Sequence, residues 1–151
     1  MSCLGVHFAL TQKQVDELLA FDDDDSRLEH VQEVIEEEMV GAHDGWAYET
    51  DKSWDAIARS LGDEYPLSHA VFGGLPLYDG DDYIMSLTNP SQVRDVARAL
   101  ATLTKEKFRE AYDRIDDALD FDYTWSNLEG LREFFQKAAA GGRHVLFTVD
   151  Q

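Results

Sequence analysis

Basic residues are scarce in this chain, and so are cysteine, proline and long apolar runs. Thirteen lysines and arginines face 31 aspartates and glutamates, giving a formal net charge of −18 over 151 residues. A surface of that sign repels phosphate backbones and anionic lipid headgroups. No nucleic-acid partner and no membrane association are therefore expected; a basic protein, or solubility alone, fits the charge better. The one cysteine, Cys3, cannot form an internal disulfide or a cysteine-based zinc centre, which points to a reducing compartment. No segment approaches the roughly 20 apolar residues that span a bilayer. The N-terminus lacks the basic region and apolar run of a secretory signal, so the expected location is the cytoplasm. The three prolines, Pro66, Pro76 and Pro90, sit in otherwise ordinary sequence. With no repeat and no linker composition, one domain over 1–151 is expected.

Recognisable reactive patterns are missing as well. Gly73-Gly74 is not continued into a phosphate-cradling loop, and reads as a turn. Asp120 and Asp122 have alternate spacing, but Trp125 stands where a calcium loop turns on glycine, and Leu131 stands where it closes with glutamate. His7, His30, His43, His69 and His144 form no metal-binding or nucleophile-elbow pattern. No metal, no cofactor and no catalytic residue is expected, and the balance leans away from an enzyme.

The residues present are those of a globular protein, 44% hydrophobic. Leu4, Val6, Phe8 and Leu10 alternate with smaller or polar residues, the period of a half-buried strand. Thr11 with Gln14 and Ser26 with Glu29 read as capping boxes that open two helices; Leu28, Val31, Ile35 and Met39 give the second its apolar stripe, ending near Gly41. Trp46 to Tyr48 has the character of a short strand. Asp51 is a candidate cap for a third helix bearing Trp54, Ile57 and Leu61, stopped by Gly62. Residues 63–81 read as a long loop with one short element near Ala70 to Phe72. Tyr83 to Leu87 is a strand, and Asn89-Pro90 a helix start. Further helices begin at Thr104 and at a third capping box, Ser126 with Glu129, the last ending at Gly141-Gly142. Val145 to Val149 closes the chain as a strand. Strands and helices do not alternate strictly. The expected class is thus α+β, about six helices on a small mixed or antiparallel sheet.

Charge is concentrated toward the N-terminus. Residues 1–64 hold 17 acids and four bases, and residues 65–151 hold 14 acids and nine bases. On the second helix Glu29, Glu33, Glu36 and Glu37 form an acidic face, a candidate docking surface for a basic partner as well as a solvated exterior. Around the central loop, Asp51, Trp54, Ser68, His69 and Asp79 are the candidates to line a polar-aromatic pocket.

Several segments carry a family resemblance. Asp51-Lys52-Ser53-Trp54 resembles a D-K-x-W helix start. The run from Pro66 to Gly73 resembles a P-L-S-x-A-x-x-G segment. Asp79-Gly80, Leu87-Thr88 and Gly142-Arg143-His144 resemble the segments that follow, in the same order and spacing. Together they are similar to the YfbM-like family of uncharacterised bacterial proteins. The resemblance implies a small α+β domain without known catalytic residues. The first sixty residues are more acidic than that family pattern requires. Two functional expectations follow: an acidic, immunity- or inhibitor-like module that binds a basic protein, or a small-molecule binder or enzyme built on the central loop, residues 51–83.

Overall fold

The computed structural model describes residues 4–116 and 120–150. The alternation at the N-terminus becomes strand β1 (Gly5–Leu10), and Thr11 caps helix α1 (Gln12–Leu19) through a full capping box with Gln14. A second helical rod follows as α2 (Asp24–His30), a π turn (Val31–Ile35) and α3 (Glu36–Val40). Then come β2 (Ala47–Asp51), α4 (Trp54–Leu61), a single 3-10 turn (Leu67–His69), β3 (Leu75–Pro76) and β4 (Tyr83–Thr88). Helices α5 (Pro90–Thr102), α6 (Lys105–Tyr112) and α7 (Phe121–Ala140) precede the last strand, β5 (His144–Asp150).

The five strands form one antiparallel sheet in the order β2-β1-β5-β4-β3. The chain's first and last strands lie side by side at its centre, Gly5 opposite Val149 and Leu10 opposite His144. Strand pleating sends alternate side chains to opposite faces, and each face carries its own core. Phe8, Leu10, Met85, Leu87 and Leu146 pack on Val15, Leu18, Val31, Ile35 and Met39 of α1 to α3. Ala9, Val145, Phe147 and Val149 pack on Ile57, Val93, Leu100, Leu128 and Phe135 of α4 to α7. The result is a single α+β domain with the sheet between two helical layers.

Three helix starts differ from the sequence reading. Asp23, not Ser26, caps the second rod: its carboxylate accepts from Ser26 N at 2.8 Å and Ser26 Oγ at 3.0 Å, so the cap lies three residues earlier. Asp120 caps α7 by accepting from Tyr123 N at 3.2 Å, which places Ser126 well inside the helix. The same Asp120 is thereby a backbone cap. Asp51 ends β2 with φ +54° instead of capping α4, whose start at Ser53 has no side-chain cap. In the central segment the short element is the 3-10 turn at Leu67–His69, not a piece at 70–72, and β3 was not anticipated.

The π turn has a cause in the apolar stripe. Val31, Ile35 and Met39 are all buried. Steps of four residues overshoot the 3.6-residue turn of an α-helix; a wider turn, in which Glu36 N donates to Val31 O, takes up the excess.

Candidate functional site

The fold separates charge by sheet face. Residues 11–40, which build the α1–α3 layer, contain eleven acids and two bases. Residues 90–143, which build most of the other layer, contain ten acids and nine bases. A second segment joins the acidic side from the far half of the chain. Arg27 on α2 donates from Nε to the Leu77 carbonyl at 3.0 Å and from Nη1 to the Phe21 carbonyl at 3.0 Å, and it pairs with Asp24. The other Asp24 oxygen accepts from Asp79 N at 2.8 Å. The loop bearing Asp79, Asp81 and Asp82 is thus fastened over the start of α2. Tyr78, beside it, has its phenol held above the ordinary value, first by desolvation and then by Asp82, Asp25 and Asp24. Two hydrogen bonds from Ser26 hold the Asp23 carboxyl below its usual range.

The four glutamates named from the sequence do not form one uniform row. Glu29, Glu33 and Glu37 are exposed, whereas Glu36 is half-buried. Burial, and secondly the Asp150 carboxylate, raise the Glu36 carboxyl above its usual value. Val34 and Val40 are exposed among these acids, so the face offers apolar contact as well as charge.

The five central candidates are distributed around the sheet. Asp51 accepts from Tyr123 Oη at 2.7 Å at the β2 edge. Trp54 packs its ring on Phe72 and Phe147, centroids 5.9 and 6.1 Å away, over Gly5, where a Cβ would come within 2.9 Å of the Trp54 Cβ. Ser68 Oγ and His69 Nδ1 share a hydrogen bond of 3.0 Å, and the His69 ring stands edge-on to Tyr65 at 4.9 Å. Asp79 lies on the opposite side of the sheet, against α2. Of the five, Ser68 lines a cleft of about 520 Å³ between α4 and the 3-10 turn, with Ala58, Leu67, Val71, Phe72 and Ile115 as its apolar floor and Asp55 and Arg59 at its rim. Among the described residues, no three His, Cys, Asp or Glu side chains converge as metal ligands. Likewise among them, no helix is long and apolar enough to cross a membrane.

The class defined so far is a sheet sandwiched by helices, with one strongly anionic helical layer. The chain belongs to the family described as a domain of unknown function, DUF1877, whose model matches residues 1–148. Its fold is similar to the crystal structure of YfbM from Escherichia coli, a protein of unknown function. The TM-score is 0.68 at 19% identity, covering 97% of this chain and 99% of that one. At that identity the likeness speaks for the fold. Curated proteins gave no match. The YfbM-like resemblance read from the five segments therefore holds.

Proposed function

We propose that this chain is a non-enzymatic binding module that docks a basic protein on its α1–α3 face, in the manner of immunity or inhibitor proteins. One observation carries the reading. The acids of two distant segments, residues 11–40 and 79–82, are gathered on one side of the sheet by the Arg27–Asp24–Asp79 fastening, while the other layer is close to neutral. Segregated charge of this kind raises encounter rates with a cationic surface and suppresses wrong partners. Affinity capture from an extract of the source cell tests it. Captured proteins should be basic, should be lost when Glu29, Glu33 and Glu37 become Gln, and should elute as salt shortens the screening length. Partners that are acidic, or that survive both treatments, contradict the reading.

A second reading has one observation in its favour, the apolar cleft built from the 51–83 segment and Ile115. A small apolar ligand there would stabilise the native state by mass action. A thermal-shift screen with nucleotides, metals and metabolites would find a ligand whose shift disappears in Phe72→Ala; a screen with no such shift removes this reading.

A further inference from the structure

We propose that the outer edge of β2, a surface distinct from the acidic α1–α3 face, receives an extended basic segment of a partner protein, which adds to the sheet as a further strand. β2 ends the sheet order, with β1 on its inner side. Val6 stands opposite Glu49, His7 opposite Tyr48 and Phe8 opposite Ala47, and Ala9 N donates to the Trp46 carbonyl at 2.8 Å. Hydrogen-bonded and non-bonded pairs alternate along an antiparallel ladder. Trp46 and Tyr48 therefore turn their peptide groups to β1, and Ala47 and Glu49 turn theirs outward. Those outward N–H and C=O groups meet no protein partner among the described residues. The opposite edge suits addition poorly: β3 is two residues, Leu75–Pro76, and proline offers no donor.

A groove lies beside the β2 edge. Helix α7 runs along β2 in the opposite direction and is fastened to it at three places. Lys137 Nζ donates to the Asp44 carbonyl, Tyr48 Oη to the Asn127 carbonyl at 3.1 Å, and Tyr123 Oη to the Asp51 carboxylate at 2.7 Å. The groove between strand and helix holds about 240 Å³, and its lining includes Ala47, Tyr48, Gly130, Glu133 and Phe134. A residue of an added strand opposite Tyr48 shares the face of Tyr48 and so stands over this groove. Extended peptides draw affinity from main-chain bonds to a sheet edge and specificity from pockets for alternate side chains.

The charge of the rim selects the occupant. Glu49 and Glu133 are exposed and make no ion pair among the described residues. Lys137, which also lines the groove, is committed to the Asp44 carbonyl and to the Trp46 ring, 4.2 Å from its centroid. A lysine or arginine opposite Tyr48 lays its alkyl stem along the groove and keeps its charged head at Glu133. A second copy of this chain is a poorer occupant. Antiparallel pairing about Tyr48 would set the two Glu49 carboxylates diagonally across the strands, between chains of formal charge −18 each.

The probe is a blocked heptapeptide of alternating lysine and valine, added to the full chain and followed by NMR amide exchange. In the free protein the Ala47 and Glu49 amides should exchange quickly, while that of Tyr48, bonded to β1, exchanges slowly. The peptide should slow Ala47 and Glu49 by about tenfold or more. Ala47→Pro removes one outward donor at an edge position that tolerates proline. It should weaken peptide binding by about tenfold, the worth of a main-chain hydrogen bond. Binding that leaves both amides fast, or that Ala47→Pro leaves undiminished, overturns the edge and leaves the acidic-face reading standing. Slowing that rises with protein concentration in the absence of peptide puts a second copy on the edge and overturns the basic partner. A peptide that does not bind wild type overturns the proposal. Should Ala47→Pro fail to fold, amide exchange in wild type decides alone.

Discussion

His7 and Ala70, 63 residues apart, are joined by a buried hydrogen bond of 2.8 Å from the imidazole Nε2 to the Ala70 carbonyl. The ring sits among Phe134, Phe135 and Phe147, with centroids 4.8 to 6.0 Å away. It ties the segment after the 3-10 turn to the central strand. Burial lowers the His7 pKa to about 4, against the opposing effect of the Ala70 bond. The folded state therefore holds His7 neutral, while the unfolded chain takes up a proton near pH 6.5. Stability from this group is complete above pH 6.5 and is lost as pH falls toward 4, a swing of about 3 kcal/mol. Urea unfolding of wild type and His7→Gln at pH 7 and pH 4.5 checks this: the variant is less stable at pH 7 and has a shallower pH dependence. Parallel pH curves would remove His7 as the source.

Gly130 lies in the middle of α7, where glycine ordinarily costs about 1 kcal/mol relative to alanine. Its reason is Tyr48. A Cβ at residue 130 would stand 2.1 Å from Tyr48 Oη, which donates to the Asn127 carbonyl at 3.1 Å and keeps β2 against α7. Gly130→Ala should destabilise by about 1–3 kcal/mol through overpacking. In a Tyr48→Ala background the same change should become neutral or stabilising. A double-mutant cycle by denaturant unfolding measures the sign reversal, and additivity would show that Tyr48 is not the cause.

The helix starts supply a third prediction. Asp120→Ala should cost about 1 kcal/mol by leaving the first turn of α7 without its cap. Ser126→Ala should change stability by less than about 0.5 kcal/mol. Thermal unfolding of the two variants separates them, and a larger loss at Ser126 would restore the later start.

Much of the architecture is legible in local pattern. The alternation in β1, the capping side chains of Thr11, Asn89 and Thr104, and the stops at Gly62 and Gly141 all depend on residues within a few positions of each other, and all appear in the structure. Two of the three misplaced starts share a physical reason. Ser26-x-x-Glu29 and Ser126-x-x-Glu129 satisfy a capping pattern, but an aspartate upstream satisfies the same need earlier. For α7, the apolar stripe already runs from Phe121 through Trp125, whose rings stack 6.5 Å apart, to Leu128. The candidate site was half legible. The acids of the second rod were visible, whereas the fastening of Asp79 to Asp24 spans 55 residues and leaves no local trace. The inward turn of Glu36 depends on the π turn and on the docking of the rod against β5, neither of which a list of glutamates reveals.

That inward turn sets stability against binding. The Glu36 carboxyl is raised by burial and by Asp150, so the folded state favours its protonated form. A carboxyl raised on folding stabilises less as pH climbs through the window above its unfolded value, and is a net liability at pH 7. Glu36→Gln keeps the shape and removes the charge. At pH 7 it should be more stable than wild type by up to about 1 kcal/mol, discounted for solvent at a half-exposed site. The gain should shrink as pH falls toward the ordinary glutamate value of about 4.3 and be absent below it, where folded and unfolded wild type are both protonated. Chemical denaturation at pH 7 and pH 3.5 gives both values. A variant that is more stable yet binds a basic partner less tightly places Glu36 among residues kept at a cost in stability for contact with a partner. A variant destabilised at pH 7 would mean that the carboxylate is held by favourable contacts that outweigh its burial and the Asp150 charge.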